Sequence, residues 1–356
     1  MTSKERFLSA MRYEGYDRPP ARYYSCPEIT EALLSRYGLQ DENALRGKLG
    51  CDFRQVDPPY IGPPRRFFPY GGLQDGLWGE QYEMLSFGDG DGEYRESVYQ
   101  PCLNMSTIED MEGYPDPAPS ADWYDYSGIE EQCDSVSDYV VWAGYTSVPD
   151  YINGISRVRG VEQVLLDIAT DDPILLRLMD LFEEFFLDKT RRTLEAGKGK
   201  IDVLCIGDDL GTQNGLLISP AAFDRIFAPR LKSFIDLAHE FGALAMMHSC
   251  GSVYKLIPRF IDMGLDILEV VQVDCADMDI EKLHGEFYGK ICFCGSMSVQ
   301  STLPFGSAGD VANEVELRKR LFRDGGMVIA PTHQIQVGTP LENIEAMYRA
   351  IGGFKD

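Results

Sequence analysis

From residue 139 to the end of the chain, short apolar runs alternate with longer amphipathic stretches. The short runs are typical of buried strands, and the stretches between them place apolar residues at helical spacing. The candidate strands are Tyr139–Tyr145, Asp202–Ile206, Ala243–Met247, Ile267–Val271, Ile291–Cys294 and Met327–Ala330. Strands that alternate with helices predict a parallel sheet.

Start and stop signals support the helices between these strands. Helices are expected to start at Asp172-Pro173, Ser219-Pro220 and Thr339-Pro340, and to end near Gly197, Gly242 and Gly352. We expect Pro229 and Pro258 to kink or break their helices, because proline lacks the N–H that a helix interior needs.

The N-terminal part adds two further candidate strands, at Ala21–Ser25 and Cys51–Val56. Together with the six above they make eight, which favours a closed barrel over an open sheet, and the chain has no Gly-rich phosphate-binding motif. The sequence therefore predicts an α/β fold, a (β/α)8 TIM barrel that forms a single domain over residues 1–356.

An irregular insertion interrupts this pattern at about residues 58–138. It is rich in Pro and Gly, but six aromatic residues give it enough apolar surface to bury, so we do not expect it to be disordered. These are Phe67, Phe68, Tyr70, Trp78, Trp123 and Tyr124. We expect loops, including a GDGDGE turn cluster, and a small sheet that covers the site.

Charge narrows the class of protein. The chain has 33 Lys and Arg against 57 Asp and Glu, a net charge of -24, which disfavours nucleic acid and anionic membranes as partners. No apolar run is long enough to span a bilayer, and the charged N-terminus does not resemble a signal peptide.

The nine Cys are odd in number and irregularly spaced, which predicts reduced thiols and a cytoplasmic location. A homodimer is compatible with the sequence.

Reactive side chains follow the predicted strands at the ends where TIM barrels place their active sites. They are Asp208, Asp209, His248, Cys250, Glu269, Gln272, Cys294 and His333. Since side chains alternate along an extended chain, His248 and Cys250 should face one way and Ser249 the other. Alone, a His-x-Cys pair is more often core packing than a metal site. Its position among the other strand-end residues favours a metal site.

We therefore expect a zinc site made by His248, Cys250 and His333, with a fourth position open to substrate. Cys294 and Glu269 are reserve ligands. A second set of residues is expected to serve chemistry and substrate binding. The predicted catalytic residues are Asp208, Asp209 and Glu269, and the predicted substrate contacts are Gln213, Gln272 and Tyr145.

Four segments resemble the uroporphyrinogen decarboxylase superfamily. They are ERFLSAMRYEGYDRPP, DDLGTQNGLLISPAAFDRIFAPRLKSFID, HSCGSVYKLIPRFIDMGLDIL and GGMVIAPTHQIQVGTPLENIEAMYRAI. The resemblance implies the same barrel. It also implies a choice between two chemistries, because the superfamily contains decarboxylases and zinc-dependent corrinoid methyltransferases.

The resemblance favours the methyltransferase branch, whose signature is His-x-Cys with a third ligand before a final TP-x-EN segment. His248, Cys250 and His333 fall on these positions, although thiol-methylating members commonly have Cys where this chain has His333. The decarboxylases resemble one another in an RQAGRY-type segment, which is missing here, where Arg18 to Arg22 reads RPPAR.

The expected function is thus methyl transfer from a small methylated substrate, such as a methoxylated compound, to a corrinoid, or from a methylcorrinoid to a thiol. The chain has no Asp-x-His-x-x-Gly motif, so the corrinoid (cobalamin) is expected on a separate partner protein. Two alternatives remain open: a uroporphyrinogen-type decarboxylase without metal, and a non-catalytic binding protein on the same fold.

Overall fold

The computed structural model describes residues 1–69, 72–87 and 92–355. Its helices are α1 (Ser3–Met11), α2 (Pro27–Tyr37), α3 (Glu42–Leu49), α4 (Ile129–Ser135), α5 (Asn153–Arg159), α6 (Val161–Thr170), α7 (Pro173–Gly197), α8 (Pro220–Ala222), α9 (Ala228–Glu240), α10 (Ile257–Asp262), α11 (Ile280–Phe287), α12 (Thr302–Phe305), α13 (Ala308–Leu321) and α14 (Leu341–Ile351). Its strands are β1 (Phe53–Gln55), β2 (Gln81–Phe87), β3 (Gly92–Tyr99), β4 (Val140–Pro149), β5 (Val203–Gly207), β6 (Gly211–Thr212), β7 (Gly215–Leu216), β8 (Leu244–His248), β9 (Ile267–Val270), β10 (Cys292–Met297) and β11 (Met327–Pro331).

A curled parallel sheet of seven strands forms the centre of the fold, in the order β1-β4-β5-β8-β9-β10-β11. The segment around Ala21 lies between the two outer strands. The Ala21 carbonyl accepts from Asp52 N at 2.8 Å, and Arg22 N donates to Ile329 O in β11 at 3.2 Å. The predicted α/β barrel is confirmed, with its eighth position held by isolated bridges instead of a full strand. Pro19 and Pro20 contribute to this difference because they cannot donate to a ladder.

Apolar side chains and thiols fill the barrel interior, on alternate positions of each strand. They are Phe53, Val140, Trp142, Val203, Cys205, Met246, Ile267, Cys292, Cys294, Val328 and Ala330. Phe7 of α1 joins this cluster and meets the Phe53 ring edge-on, with ring centroids 5.2 Å apart. The polar residues that end β8 and follow β5 lie beyond these layers, toward the carboxyl ends of the strands.

The insertion packs on α7 through stacked aromatic rings. Trp78 lies parallel to Phe182, with ring centroids 4.1 Å apart and planes 11° apart, and it meets Phe185 edge-on. Tyr124 also packs against Phe185. The expected small sheet is the antiparallel pair of β2 and β3. Tyr70 and most of the GDGDGE cluster, at 88–91, lie outside the described residues.

Across the described residues, no helix has the length and apolar character needed to cross a bilayer.

Asp52 joins the barrel closure to the N-terminal helix. It is fully buried and accepts hydrogen bonds from Arg6 Nη1 at 2.7 Å, Arg18 Nη1 at 2.8 Å and Ala21 N at 2.8 Å. A buried carboxylate needs such partners because its desolvation is otherwise too costly. Asp52 thus holds the closing segment to the first strand.

Asp52→Asn should lower the free energy of unfolding by about 3 to 5 kcal/mol, since two arginines would lose a buried counter-charge. Urea unfolding of the full chain would measure this. Asp236→Asn is the matched control, because Asp236 pairs with Lys232 on the surface, where a loss under about 1 kcal/mol is expected. Equal losses in the two variants would show that Asp52 does not have this role.

Candidate metal centre and active site

Strand β8 delivers His248 to the carboxyl-end rim of the barrel. The Sγ of Cys250 lies 3.3 Å from His248 Nε2, so the two side chains do face one way. Ser249 points elsewhere, and its Oγ accepts a hydrogen bond from Leu210 N at 3.0 Å. The alternation expected from an extended chain therefore holds through the end of the strand.

The chain turns sharply after Cys250 because Gly251 adopts a positive φ of 81°. A Cβ at Gly251 would lie 2.3 Å from Gly211 C, so only glycine fits against the small hairpin of β6 and β7. Gly251 N donates to Gln272 Oε1, which fixes the turn from its other side. Gln272, predicted as a substrate contact, is thus occupied with a backbone group.

Asp209 joins the pair from the end of β5. Its Oδ1 lies 3.7 Å from His248 Nε2 and accepts from Cys250 N at 2.8 Å, while its Oδ2 accepts from Asn153 Nδ2 at 2.8 Å. One ligand atom from each of Asp209, His248 and Cys250 lies within 4.8 Å of the other two. Asp209 was predicted as a catalytic residue, and the structure places it among potential metal ligands.

Burial governs the protonation of this cluster. Burial lowers the pKa of His248 to about 4, although Asp209 opposes the shift, so the imidazole is neutral at neutral pH. Burial also raises the pKa of the Cys250 thiol, and Asp209 adds to that shift. Burial raises the pKa of Asp209 as well, but its electrostatic interaction with His248 and the hydrogen bond from the Cys250 amide outweigh burial, and the net pKa lies below its usual value.

The donor set of this cluster fits zinc. A neutral imidazole, a thiol and a carboxylate are the side-chain types that bind zinc in proteins. His248 Nδ1 is buried without a hydrogen bond and lies 3.5 Å from Glu269 Oε2. Such a carboxylate commonly orients a histidine that binds metal through its other nitrogen. A cation at His248 Nε2 would also favour the thiolate of Cys250, whose pKa is otherwise raised.

Glu269 forms an ion pair with Arg22 inside the barrel. Arg22 Nη1 bonds Glu269 Oε1, and the guanidinium lies 4.6 Å from the centre of the Trp142 ring. Both charged side chains are almost completely buried, at 5% and 3% exposure. One carboxylate oxygen of Glu269 thus pairs with Arg22, and the other lies 3.5 Å from His248 Nδ1.

His333 and Cys294 lie farther from the cluster. The His333 ring centroid is 6.3 Å from that of His248, on the same side of the barrel mouth. Cys294 is fully buried in the interior layers, where burial raises its pKa to about 11. Among the described residues, neither belongs to the group whose ligand atoms come together.

Asp208 faces away from Asp209, as alternation requires. It is 1% exposed, and its two oxygens accept from Tyr151 N at 3.1 Å and Ile152 N at 3.0 Å. This predicted catalytic carboxylate therefore anchors the turn that follows β4.

The two remaining predicted substrate contacts lie away from the metal-type cluster. Gln213 is exposed on the small hairpin and donates to Asp274 O at 2.7 Å. The Tyr145 hydroxyl donates to Asp57 Oδ2 at 2.8 Å and lines a separate cavity under the insertion.

A model of the uroporphyrinogen decarboxylase (URO-D) family matches residues 147–354, more than half of the chain. The chain belongs to this family. The match covers β5, β8 and β11, and hence all the cluster residues. No curated protein matches the chain.

Two solved structures are similar to this family member at low identity. One is a B12-independent methionine synthase from Shewanella sp. W3-18-1 in complex with selenomethionine, with a TM-score of 0.41, 10% identity and coverage of 77% of this chain and 73% of that chain. The other is a putative vitamin-B12 independent methionine synthase from Listeria monocytogenes, with a TM-score of 0.39, 12% identity and coverage of 64% and 67%. Similarity at this level does not inform on function.

Sequence reasoning missed Arg22 and Asn153 as site residues. Arg22 is the one charged residue in the predicted strand Ala21–Ser25, and a lone charge in a barrel strand is the signal that could have revealed it. Asn153 has no such signal, because its contact with Asp209 depends on the path of the turn after β4.

Arg22→Met should lower the free energy of unfolding by about 3 to 5 kcal/mol, because Glu269 would stay buried without its counter-charge. Adding Glu269→Gln to this variant should restore part of the loss, since no unpaired charge would then remain. Urea unfolding of the single and double variants would measure both effects.

The control for this pair is Arg225→Met, because Arg225 is 51% exposed and pairs with Asp171 on the surface. A loss under about 1 kcal/mol is expected there. If Arg22→Met lowered the free energy of unfolding no more than Arg225→Met does, the buried ion pair would not stabilise the rim of the barrel.

Proposed function

We propose that this family member is a zinc-dependent methyltransferase. It would move a methyl group from a small methylated substrate, such as a methoxylated compound, to a corrinoid on a partner protein, or from a methylcorrinoid to a thiol. The observation that carries the proposal is the Asp209, His248 and Cys250 cluster at the carboxyl-end rim. This rim is where barrels of this kind perform their chemistry.

Zinc would be held by His248 Nε2, Cys250 Sγ and an Asp209 oxygen, and when bound it would supply a Lewis acid for the heteroatom that carries the methyl group. The chain's own residues prepare these donors. Burial keeps His248 neutral, which leaves Nε2 free to bind. The Cys250 amide and Asn153 orient the carboxylate of Asp209.

The reaction also needs a proton for the heteroatom that loses its methyl group. In the demethylating direction the bond between methyl and heteroatom would break with its electron pair left on the heteroatom, and the methyl group would pass to the reduced corrinoid of the partner, whose own electron pair forms the new bond. The heteroatom would then take a proton from water. Asp208 is buried with each oxygen bound to a backbone amide and Glu269 is paired with Arg22, so we assign both to positioning instead of proton donation.

The corrinoid and its carrier belong to the proposal as partners. The chain has no corrinoid-binding motif of the Asp-x-His-x-x-Gly type, and its net charge of -24 favours a carrier with a basic docking face.

Decarboxylation is the second candidate, because the matching family model is that of uroporphyrinogen decarboxylase. It requires arginines that are free to bind several carboxylates. Arg22, at the barrel mouth, is instead paired with Glu269. The metal-type cluster also has no part in a reaction without metal, which is why we favour methyl transfer.

Protein purified without added metal should contain about one zinc per chain, and Cys250→Ala should lose it, since structural and catalytic sites need three or four ligands. Elemental mass spectrometry would measure the content. Cys133→Ala is the matched control, because Cys133 is a buried thiol of α4 far from the rim in the chain. Zinc that is absent from the wild type, or equal in the two variants, would contradict the proposed centre.

Free cob(I)alamin and a series of methoxylated aromatics should yield methylcobalamin, visible as a change in absorbance. His248→Ala should lower the rate by about 100-fold or more, because several kcal/mol of transition-state stabilisation are lost and each 1.4 kcal/mol is tenfold. Chelation should have the same effect, reversed by added zinc. Methyl transfer that survives both chelation and His248→Ala would rule out the zinc mechanism.

A further inference from the structure

A second cavity lies between the insertion, the carboxyl end of β4 and helix α7. Its volume is about 210 Å³. One wall is formed by residues 147–150, and the next residues of the same turn, Tyr151 and Ile152, bind Asp208 from the other side. None of Asp209, His248 and Cys250 lines the described cavity, so it is separate from the metal-type cluster.

Apolar rings form the inner wall of this cavity. Trp78 and Phe182 are 4% and 2% exposed and stack with parallel planes, and Phe186 continues the wall. Such a surface favours a flat apolar group, because aromatic rings pack best in offset or edge-on contact with other rings.

Three cationic side chains, Arg95, Arg157 and Lys189, line another part of the cavity. Arg157 Nη1 donates to Asp150 Oδ2 at 3.1 Å, and Arg95 Nη1 donates to Leu73 O at 3.2 Å. The other N–H groups of both guanidinium groups have no acceptor among the described residues. Each guanidinium can donate five hydrogen bonds, so most of this donor capacity is unused.

Two acidic side chains, Glu80 and Asp150, also line the cavity, and Asp150 takes one N–H of Arg157. Both oxygens of Glu80 are occupied, one by Trp78 N at 2.9 Å and the other by the Tyr82 hydroxyl at 3.0 Å. Lys189 adds a third cation, with Nζ 3.5 Å from Asp57 Oδ1. The cavity therefore presents N–H donors without acceptors beside an aromatic wall, in a protein that is otherwise strongly acidic.

We propose that this cavity binds a small planar anion with an apolar body, of the aromatic carboxylate class. Its carboxylate takes the unused N–H groups of Arg157 and Arg95, and its ring lies against Trp78 and Phe182. Guanidinium groups suit such a ligand because their planar fork matches a carboxylate. The volume lies below the roughly 300 to 1,000 Å³ of sites for drug-sized ligands, which limits the ligand to about one ring.

Calorimetric titration of the full chain with benzoate tests the site. We expect saturable binding with a Kd of about 1 mM or tighter. Benzamide, which has the same shape without the charge, should bind at least about tenfold more weakly. Acetate should be weakened similarly because it lacks the ring. No saturable benzoate binding, or equal binding of benzamide, would overturn the proposal.

Arg95→Gln and Arg157→Gln should each weaken benzoate binding by about tenfold or more, since each removes a charge-assisted donor. Arg157 also holds Asp150, whereas Arg95 donates to one backbone carbonyl and lies over the Tyr82 ring at 4.3 Å, so Arg95→Gln breaks no ion pair among the described residues. Arg225→Gln is the exposed control and should bind as the wild type does. Unchanged binding in both cavity variants would overturn the site.

Cys250→Ala separates this proposal from the metal centre. It should lose zinc if the proposed function is right, and it should bind benzoate with unchanged affinity in either case. Loss of benzoate binding in Cys250→Ala would show that the ligand occupies the metal-type cluster, and would overturn the separate site.

Discussion

The buried ion pair between Arg22 and Glu269 connects the closure of the barrel to its site. Arg22 comes from the short segment that completes the ring of strands, and Glu269 lies at the end of β9, beside the ring of His248. Two charges inside a barrel are tolerated only as a pair with good geometry. The segment must therefore close the ring in one register, and the same register places the Glu269 carboxylate 3.5 Å from His248 Nδ1.

The strand pattern could be predicted from sequence because each barrel strand is a short apolar run between clear helix signals. The Ala21 segment was predicted as a strand on its position, and it forms single bridges because two prolines precede it. The other two prolines, which were expected to kink or break their helices, both stand in the first turn of a helix. A π-helical turn at Phe223–Phe227 precedes Pro229, and helix α9 continues from it although Pro229 has no N–H to donate. Pro258 stands at the start of α10, where no N–H is required.

The site could be predicted in part. Alternation along a strand correctly placed His248 beside Cys250, because that contact lies within one element. The same rule, applied to Asp208 and Asp209, would have shown that only one of them can face the mouth. Contacts between residues of different strands and helices could not be predicted from the sequence. The position of Glu269 between Arg22 and His248 depends on three strands, and the burial of Cys294 depends on how the interior layers fill.

The turn after β4 is constrained on both of its faces, and this explains why it supports Asp209 so directly. On one face, its amides hold Asp208 and the Asn153 side chain holds Asp209. On the other face, Gly154 packs closely on Phe182, since a Cβ there would lie 3.2 Å from the ring. Trp78 of the insertion stacks on the same Phe182 ring. The aromatic insertion therefore stabilises the position of a potential metal ligand from outside the barrel.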